Sequence, residues 1–222
     1  DAQESRGLGD VYKRQMLNGA LAGLVAITAE PLNPSPILAM VIGSIGAIQL
    51  ASHQIALNLA SISYMIASGI GSASMISLGY YYGEGDSEEI RKSGYSNFIL
   101  VLILMCISAF VFIVFRDILP TFYVDDYEVI SLASSLLIIA GLFQLSDGVQ
   151  AVGLGVLRGI RDTKIPTLVT FISYWVIAIP LSYYLGIISD YGLFGVWIGL
   201  SVGLTIAAVF HVLRFNYLTS AK

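Results

Sequence analysis

The 222-residue sequence predicts an all-α fold, a polytopic membrane bundle of about six helices. Three observations predict it. The first is composition: 56% of residues are apolar or aromatic and only 12% are charged, against roughly 25% charged in soluble domains. The second is where the charges fall. They leave uncharged runs at 31–83, 93–115, 129–146, 148–157, 165–189 and 191–213, and a helix crosses a bilayer with roughly 20 apolar residues. The third is that these runs are continuous rather than alternating, which excludes a β-barrel. A mean hydropathy of +0.80 agrees. The formal net charge of −4 excludes a basic nucleic-acid binder, and the apolar content excludes disorder. One cysteine, Cys106, excludes an intrachain disulfide framework. With only His53 and His211 present, no multi-histidine metal site and no cofactor are expected. No phosphate loop, nucleophile triad or metal-ligand cluster is present, so the sequence does not read as an enzyme.

The elements follow from the runs. Helices are predicted near 17–30, 37–82, 93–115, 128–157, 165–187 and 193–214. The first, about 14 residues, is short for a span. The second, at 46 residues, would reach roughly 69 Å, more than twice a hydrocarbon core of about 30 Å. It is expected either to break between about Gln49 and Ser52, where polar residues cluster through Gln54, or to project from the membrane. Near the end of that run, Tyr80, Tyr81 and Tyr82 read as an interfacial aromatic belt. Gly195, Gly199 and Gly203 make two overlapping GxxxG motifs in the last helix, which predicts close helix packing. If the helices alternate, the loops at 83–92 and 158–164 and the C-terminal tail share one side. They hold Arg91, Lys92, Arg158, Arg161, Lys164, Arg214 and Lys222, against Arg116 alone on the other side. Lys/Arg excess marks the cytoplasm, so the C-terminus is expected to be cytoplasmic in a cell (inner) membrane. Lys13 and Arg14 agree with a cytoplasmic N-terminus and six crossings.

Asp147 is the charged residue that falls well inside a predicted span. It lies 10 residues before Leu157, at the end of its helix, hence about 15 Å deep. An ionisable group near the midplane is costly and marks a functional site by default. A dry surrounding favours the neutral acid and a bound cation favours the carboxylate, so an acid there can trade a proton for a cation. Gln144 and Gln150, at i−3 and i+3, fall on roughly the same face and are expected to complete a polar site. The other reading is an Asp held by helix–helix hydrogen bonds. Gln54 and Asn58 share a face at i, i+4, continued by Ser61; cavity lining and interhelical hydrogen bonding are both open for them. His53 reads as a structural partner. Tyr174 and Trp175, before Pro180, either face an internal cavity, where their rings could meet a cation, or pack against lipid.

Ordered motifs from about residue 48 to 218 resemble the multidrug and toxic compound extrusion (MATE) antiporters. They are Leu50-Ala51-Ser52-His53-Gln54-Ile55-Ala56-Leu57-Asn58, Gly69-Ile70-Gly71-Ser72-Ala73 with Gly79, Phe143-Gln144-Leu145-Ser146-Asp147, Gly155-Val156-Leu157-Arg158-Gly159, Asp162-Thr163-Lys164, Ser173-Tyr174-Trp175-Val176 with Pro180, and Gly195-Val196-Trp197-Ile198-Gly199-Leu200. The resemblance implies part of the second of two six-helix lobes, lacking the first lobe and the helix that opens the second. It implies coupling of Na⁺ or H⁺ entry to export of a lipophilic or cationic drug-like substrate across the lipid bilayer. Asp147 then matches the coupling acid, and Phe143 stands where the family often has Tyr. The partner Glu of the opening helix is absent, and Glu30 does not align with it.

Two further stretches resemble other things. Residues 16–46 are similar to a short internal stretch of the ammonium transporter family, carried by Asn18-Gly19-Ala20-Leu21-Ala22-Gly23-Leu24-Val25-Ala26-Ile27-Thr28-Ala29. They hold neither the paired pore histidines nor the aromatic gate, so ammonium conduction is not implied. Residues 1–15 form a tail in which SRGLGDVYKRQ resembles translated sequencing-adapter read-through. A natural cytoplasmic tail, or a secretory signal cleaved after Ala29, are the other readings. The expected organisation is thus 1–15 tail, 16–46 ammonium-transporter-like segment, 47–218 MATE-like half-lobe and 219–222 cytoplasmic tail. The expected function is a fragment of a cation-coupled multidrug antiporter without independent transport. A chimeric assembly artefact or non-transporting membrane scaffold is the alternative, and an ammonium transporter fragment the third.

Overall fold

The computed structural model describes residues 46–220. The expected helix at 17–30, the start of the long run at 37, and the readings of residues 1–15 and 16–46 lie outside the described residues, as does Lys222. The described chain forms five long helices: α1 Ala47–Glu84, α2 Ser87–Val114, α3 Tyr127–Gly159, α4 Lys164–Ile188 and α5 Gly192–Ser220. A single 3₁₀ turn, Leu119–Phe122, interrupts the α2–α3 link. All five helices are long and apolar enough to cross a membrane.

The expected break near Gln49–Ser52 is corrected. α1 runs unbroken through those residues, and the chain leaves helical geometry earlier, at Gly46 with φ 143°. Of the polar residues that suggested a break, Ser52 is satisfied inside the bundle. The Ser52 hydroxyl reaches the Ile48 carbonyl one turn back (2.9 Å) and the Val129 carbonyl of α3 (3.1 Å). At 38 residues, α1 is about 57 Å long and exceeds the hydrocarbon thickness by tilt or projection.

Helix ends are written in short polar segments. α1 stops at Gly85, whose left-handed backbone (φ 77°) lets its N–H and that of Asp86 return to the carbonyls of Tyr82 and Tyr81. Asp86 then caps α2 by accepting from the backbone N–H groups of Glu88 (3.1 Å) and Glu89 (3.0 Å). Asp126 caps α3 in the same way through Glu128 (2.9 Å) and Val129 (3.3 Å).

α1 and α3 share the most extensive contact, with α2 and α5 on either side of α3. The crossing of α1 and α3 is set by two glycines. A Cβ on Gly155 would collide with the main chain of Gly71, and one on Gly71 would lie 2.9 Å from the Ala151 carbonyl oxygen. Apolar clusters lie on both sides of this point. One joins Ile55, Leu59, Leu136, Leu137 and Trp197, and the other Leu78, Phe98, Met105, Val156 and Phe215.

α4 packs chiefly on α5. The GxxxG expectation places its contact correctly: Gly195 abuts the backbone of Leu185 and Gly186, Gly199 that of Ser182, and Gly203 Ser173 and Ala178. α4 is not a regular α-helix. Residues Ile172–Ala178 and Tyr184–Ile188 are π-helical, and the Ile179 N–H bonds the Tyr174 carbonyl five residues back. Pro180 follows the first wide stretch. A proline inside an α-helix removes one hydrogen bond and clashes with the carbonyl four residues earlier; a wider turn relieves both.

The helices alternate, so their ends gather into two groups. At one end the Arg214 guanidinium pairs with Asp162 (2.7 Å), Arg161 lies over the Tyr82 ring (5.8 Å), and the Tyr95 hydroxyl donates to Asn216 (3.0 Å). At the other, the Ser134 hydroxyl donates to the Arg116 carbonyl (2.9 Å).

Candidate functional site

α3 carries the charge of interest. Asp147 is the one charged residue between Val129 and Leu157 and is half-buried. Among the described residues no group donates a hydrogen bond to its carboxyl, so the reading of an Asp held by helix–helix hydrogen bonds is not met there. The phenol of Tyr64, on α1, lies within electrostatic reach of it. Next to it on α3, Ser146 pairs with Thr205 of α5 (2.8 Å).

One turn away on the same side of α3, Phe143 meets Trp197 of α5 edge-on, with ring centres 5.7 Å apart. Trp197 in turn meets His53 of α1 at 5.7 Å. Three aromatic rings from three helices thus form a chain that starts one turn from the acid at Phe143 and runs away from it to His53. His53 is 2% exposed and Trp197 1%. Four buried polar atoms in and next to this cluster have no partner among the described residues: His53 Nδ1, Trp197 Nε1, Gln54 Nε2 and Gln144 Nε2. An unpaired buried donor or acceptor costs about 1–3 kcal/mol, so these atoms are the polar handles of this part of the bundle. His53 thus is a structural partner of Trp197, as its sequence position suggested.

The remaining residues are dispersed. Gln144, expected beside Asp147, turns elsewhere. Its side-chain carbonyl accepts from Ser108 of α2 (2.7 Å), which meets Ser63 of α1 (2.5 Å). Gln144 is 1% exposed, so it fills a three-helix polar relay rather than lining a cavity. Gln150 is buried. Asn58 is exposed, and its amide donates to the Gln54 backbone carbonyl on its own helix (3.0 Å), as Ser61 does to Leu57 (2.8 Å). Neither supplies an interhelical hydrogen bond. Tyr174 is half-buried on α4, away from α1 and α3 in the packing order. Its neighbour Trp175 is exposed and stacks on Phe171 (6.2 Å).

Sequence reasoning did not single out Tyr64, Ser63, Ser108 or the ring pairing of Trp197. The available signal was general: polar groups inside apolar spans must find partners.

Residues 35–184 match the MatE family. The match begins inside the stretch 16–46. The multidrug resistance protein MdtK of Yersinia enterocolitica is 37% identical over 187 residues, which cover 82% of this chain and 41% of that protein. MdtK of Yersinia pseudotuberculosis is 38% identical with the same coverage. The chain thus spans about two fifths of the length of the curated relatives it matches. Among solved structures, an outward-facing multidrug resistance MATE family transporter of the MOP superfamily superposes with a TM-score of 0.75 at 17% identity, over 91% of this chain and 44% of that one. A MOP superfamily transporter from Pyrococcus furiosus gives 0.74 at 17% identity, over 93% and 44%. At such identities the likeness is one of fold.

Proposed function

The chain belongs to the MatE family, and from that membership we propose that it carries the coupling acid of a cation-driven exporter of lipophilic or cationic drug-like molecules. Asp147 is the proposed coupling residue and Na⁺ or H⁺ the proposed ion. Transport is assigned to these helices together with the further length that the relatives have.

The observation that carries the reading is the state of Asp147. It is a mid-helix carboxylate, half-buried, with no hydrogen-bond donor among the described residues. A structural acid in a membrane helix is paired; one left unpaired at depth costs stability and is kept for another task. Half-buried Phe143, one turn before it on α3, and Tyr64 of α1 offer ring faces to a lipophilic cation. The relatives' printed name, multidrug resistance protein, supports the same substrate class. Exchange would follow from access to this acid alternating between the two sides, with the Lys/Arg-rich end and the C-terminus in the cytoplasm.

The test joins residues 47–222 to the remaining length of Yersinia MdtK and follows export of a fluorescent cationic dye. Asp147→Asn is expected to abolish export while leaving the protein inserted, and Asp147→Glu to retain part of it. Unchanged export by the Asn variant would leave Asp147 without the coupling role.

A further inference from the structure

A cavity of about 260 Å³ opens at the end of the bundle where α1 stops, α2 starts and α3 turns into α4; its walls include Tyr82, Ser87, Arg161, Asp162 and Arg214. It lies far along the helices from Asp147 and has no part in the transport reading. We propose that this cavity binds the phosphodiester headgroup of an anionic phospholipid from the leaflet at this end of the bundle.

The cations in it have unused donors. Arg161 makes no ion pair and no side-chain hydrogen bond among the described residues; its guanidinium lies over the Tyr82 ring at 5.8 Å. The ring holds the charge in place without neutralising it. Arg214, which also lines the cavity, gives Nε to Asp162 (2.7 Å) and stands over the Tyr217 ring (5.7 Å), and its terminal nitrogens have no hydrogen bond among the described residues. Guanidinium forks match phosphate oxygens in spacing and plane. The loop that presents Arg161 is fixed by its own backbone, with Arg161 N–H on the Arg158 carbonyl (3.0 Å) and Asp162 N–H on that of Leu157 (2.9 Å).

The acids at this end are already engaged. Asp86 caps α2. Glu88 and Glu89 hold Lys92 at 2.8 and 3.2 Å. Glu84 is bonded by Tyr80. Asp162 holds Arg214. Within the cavity two guanidinium groups face one carboxylate, so it attracts an anion.

The lining also selects a lipid over a free anion. Ile90, Ile160 and Leu218 make the apolar part of the wall, and the exposed ring of Tyr82 adds to it. Free phosphate has nothing to lay on such a wall, whereas a phospholipid brings its glycerol and upper acyl carbons. The cavity sits at the ends of membrane-long helices, at the level where headgroups and tyrosine belts lie.

The experiment uses the full chain in detergent, titrated with phosphatidylglycerol or phosphatidylcholine and read by native mass spectrometry and by Tm. Phosphatidylglycerol is expected to bind more tightly and to raise Tm more than phosphatidylcholine. Arg161→Gln should weaken phosphatidylglycerol binding about fivefold, and Arg161→Lys should retain most of it. Arg161 is exposed, so neither change should unfold the protein. Arg158→Gln, an exposed cation at the same end outside the cavity wall, should leave binding unchanged. Equal binding of the two lipids would overturn the proposal, as would an unaltered Arg161→Gln. An equal loss in Arg158→Gln would reduce the effect to diffuse surface charge and overturn it too. Displacement of the lipid by millimolar inorganic phosphate would make the site one for the free anion, again against the proposal.

Discussion

Gln144 and Asp147 are three residues apart on α3 and meet different fates. The amide of Gln144 joins Ser108 and Ser63 across three helices, while the carboxylate of Asp147 is bonded by none of the described residues. Replacing each therefore has opposite signs. Gln144→Leu should destabilise the bundle by about 0.6 kcal/mol, and by no more than about 1.7, the range of hydrogen bonds between membrane helices. In a double-mutant cycle, Ser108→Ala should cost less in the Gln144→Leu background than alone. Asp147→Leu should raise stability by up to about 2–3 kcal/mol, since it removes an unpaired acid from apolar depth. Unfolding in mixed detergent measures both, and a clear loss of stability in Asp147→Leu would indicate a structural acid. The sequence shows both residues as polar groups on one rough face. It does not show that Gln144 turns to α2, because a three-residue step is about 60° off register on the helix, enough to aim a neighbour at a different helix.

At the level of elements, glycine spacing was legible in one place and hidden in another. Gly195, Gly199 and Gly203 declare themselves by their four-residue repeat, and α4 indeed lies against them. Gly71 and Gly155 belong to no shared repeat, being 84 positions apart on different helices. Gly155 does share a four-residue step with Gly159, and both meet α1, but nothing local names Gly71 as the partner. The same holds for the π turns of α4. Pro180 signals a disturbed helix, but the wide turns lie on both sides of it, at Ile172–Ala178 and Tyr184–Ile188, where α4 lies close against α5. The α1–α3 contact yields a paired prediction. Gly155→Ala should destabilise by about 1–3 kcal/mol through overpacking, in spite of the helix preference of alanine. Gly69→Ala, with open space around its position, should be neutral or gain up to about 1 kcal/mol. Thermal unfolding of the two variants side by side decides whether main-chain contact fixes the crossing.

For the molecule as a whole, sparse charge made the class readable, because so few Asp, Glu, Lys and Arg leave only loops to hold them. The start of α1 was harder. Length alone requires that the run 31–83 be interrupted or project from the membrane, and polar residues drew attention to Gln49–Ser52. Ser52 instead satisfies its hydroxyl inside the bundle, and the glycine at 46 departs from the helix. Five alternating helices place Gly46 and Ser220 on opposite faces of the membrane. In a Cys106→Ser background, single cysteines at positions 118 and 161 should differ in access to a membrane-impermeant thiol reagent. Position 118 should label in intact cells and position 161 only after permeabilisation, as the Lys/Arg bias requires. Labelling of both from the same side would overturn the alternation.

The meeting of Gly71 and Gly155 has a mechanical corollary. Where two helices touch through bulky side chains, tilting one against the other means unlocking a set of rotamers. Here main chain rests on main chain, and the two rods resemble the blades of shears joined at a rivet. Asp147 stands eight residues from that rivet along α3, a lever arm of about 12 Å, whereas Gly159, four residues beyond it, meets α1 again at the Met75 carbonyl and the Gly79 main chain. A small opening of the blades therefore carries the acid and leaves the basic end nearly still.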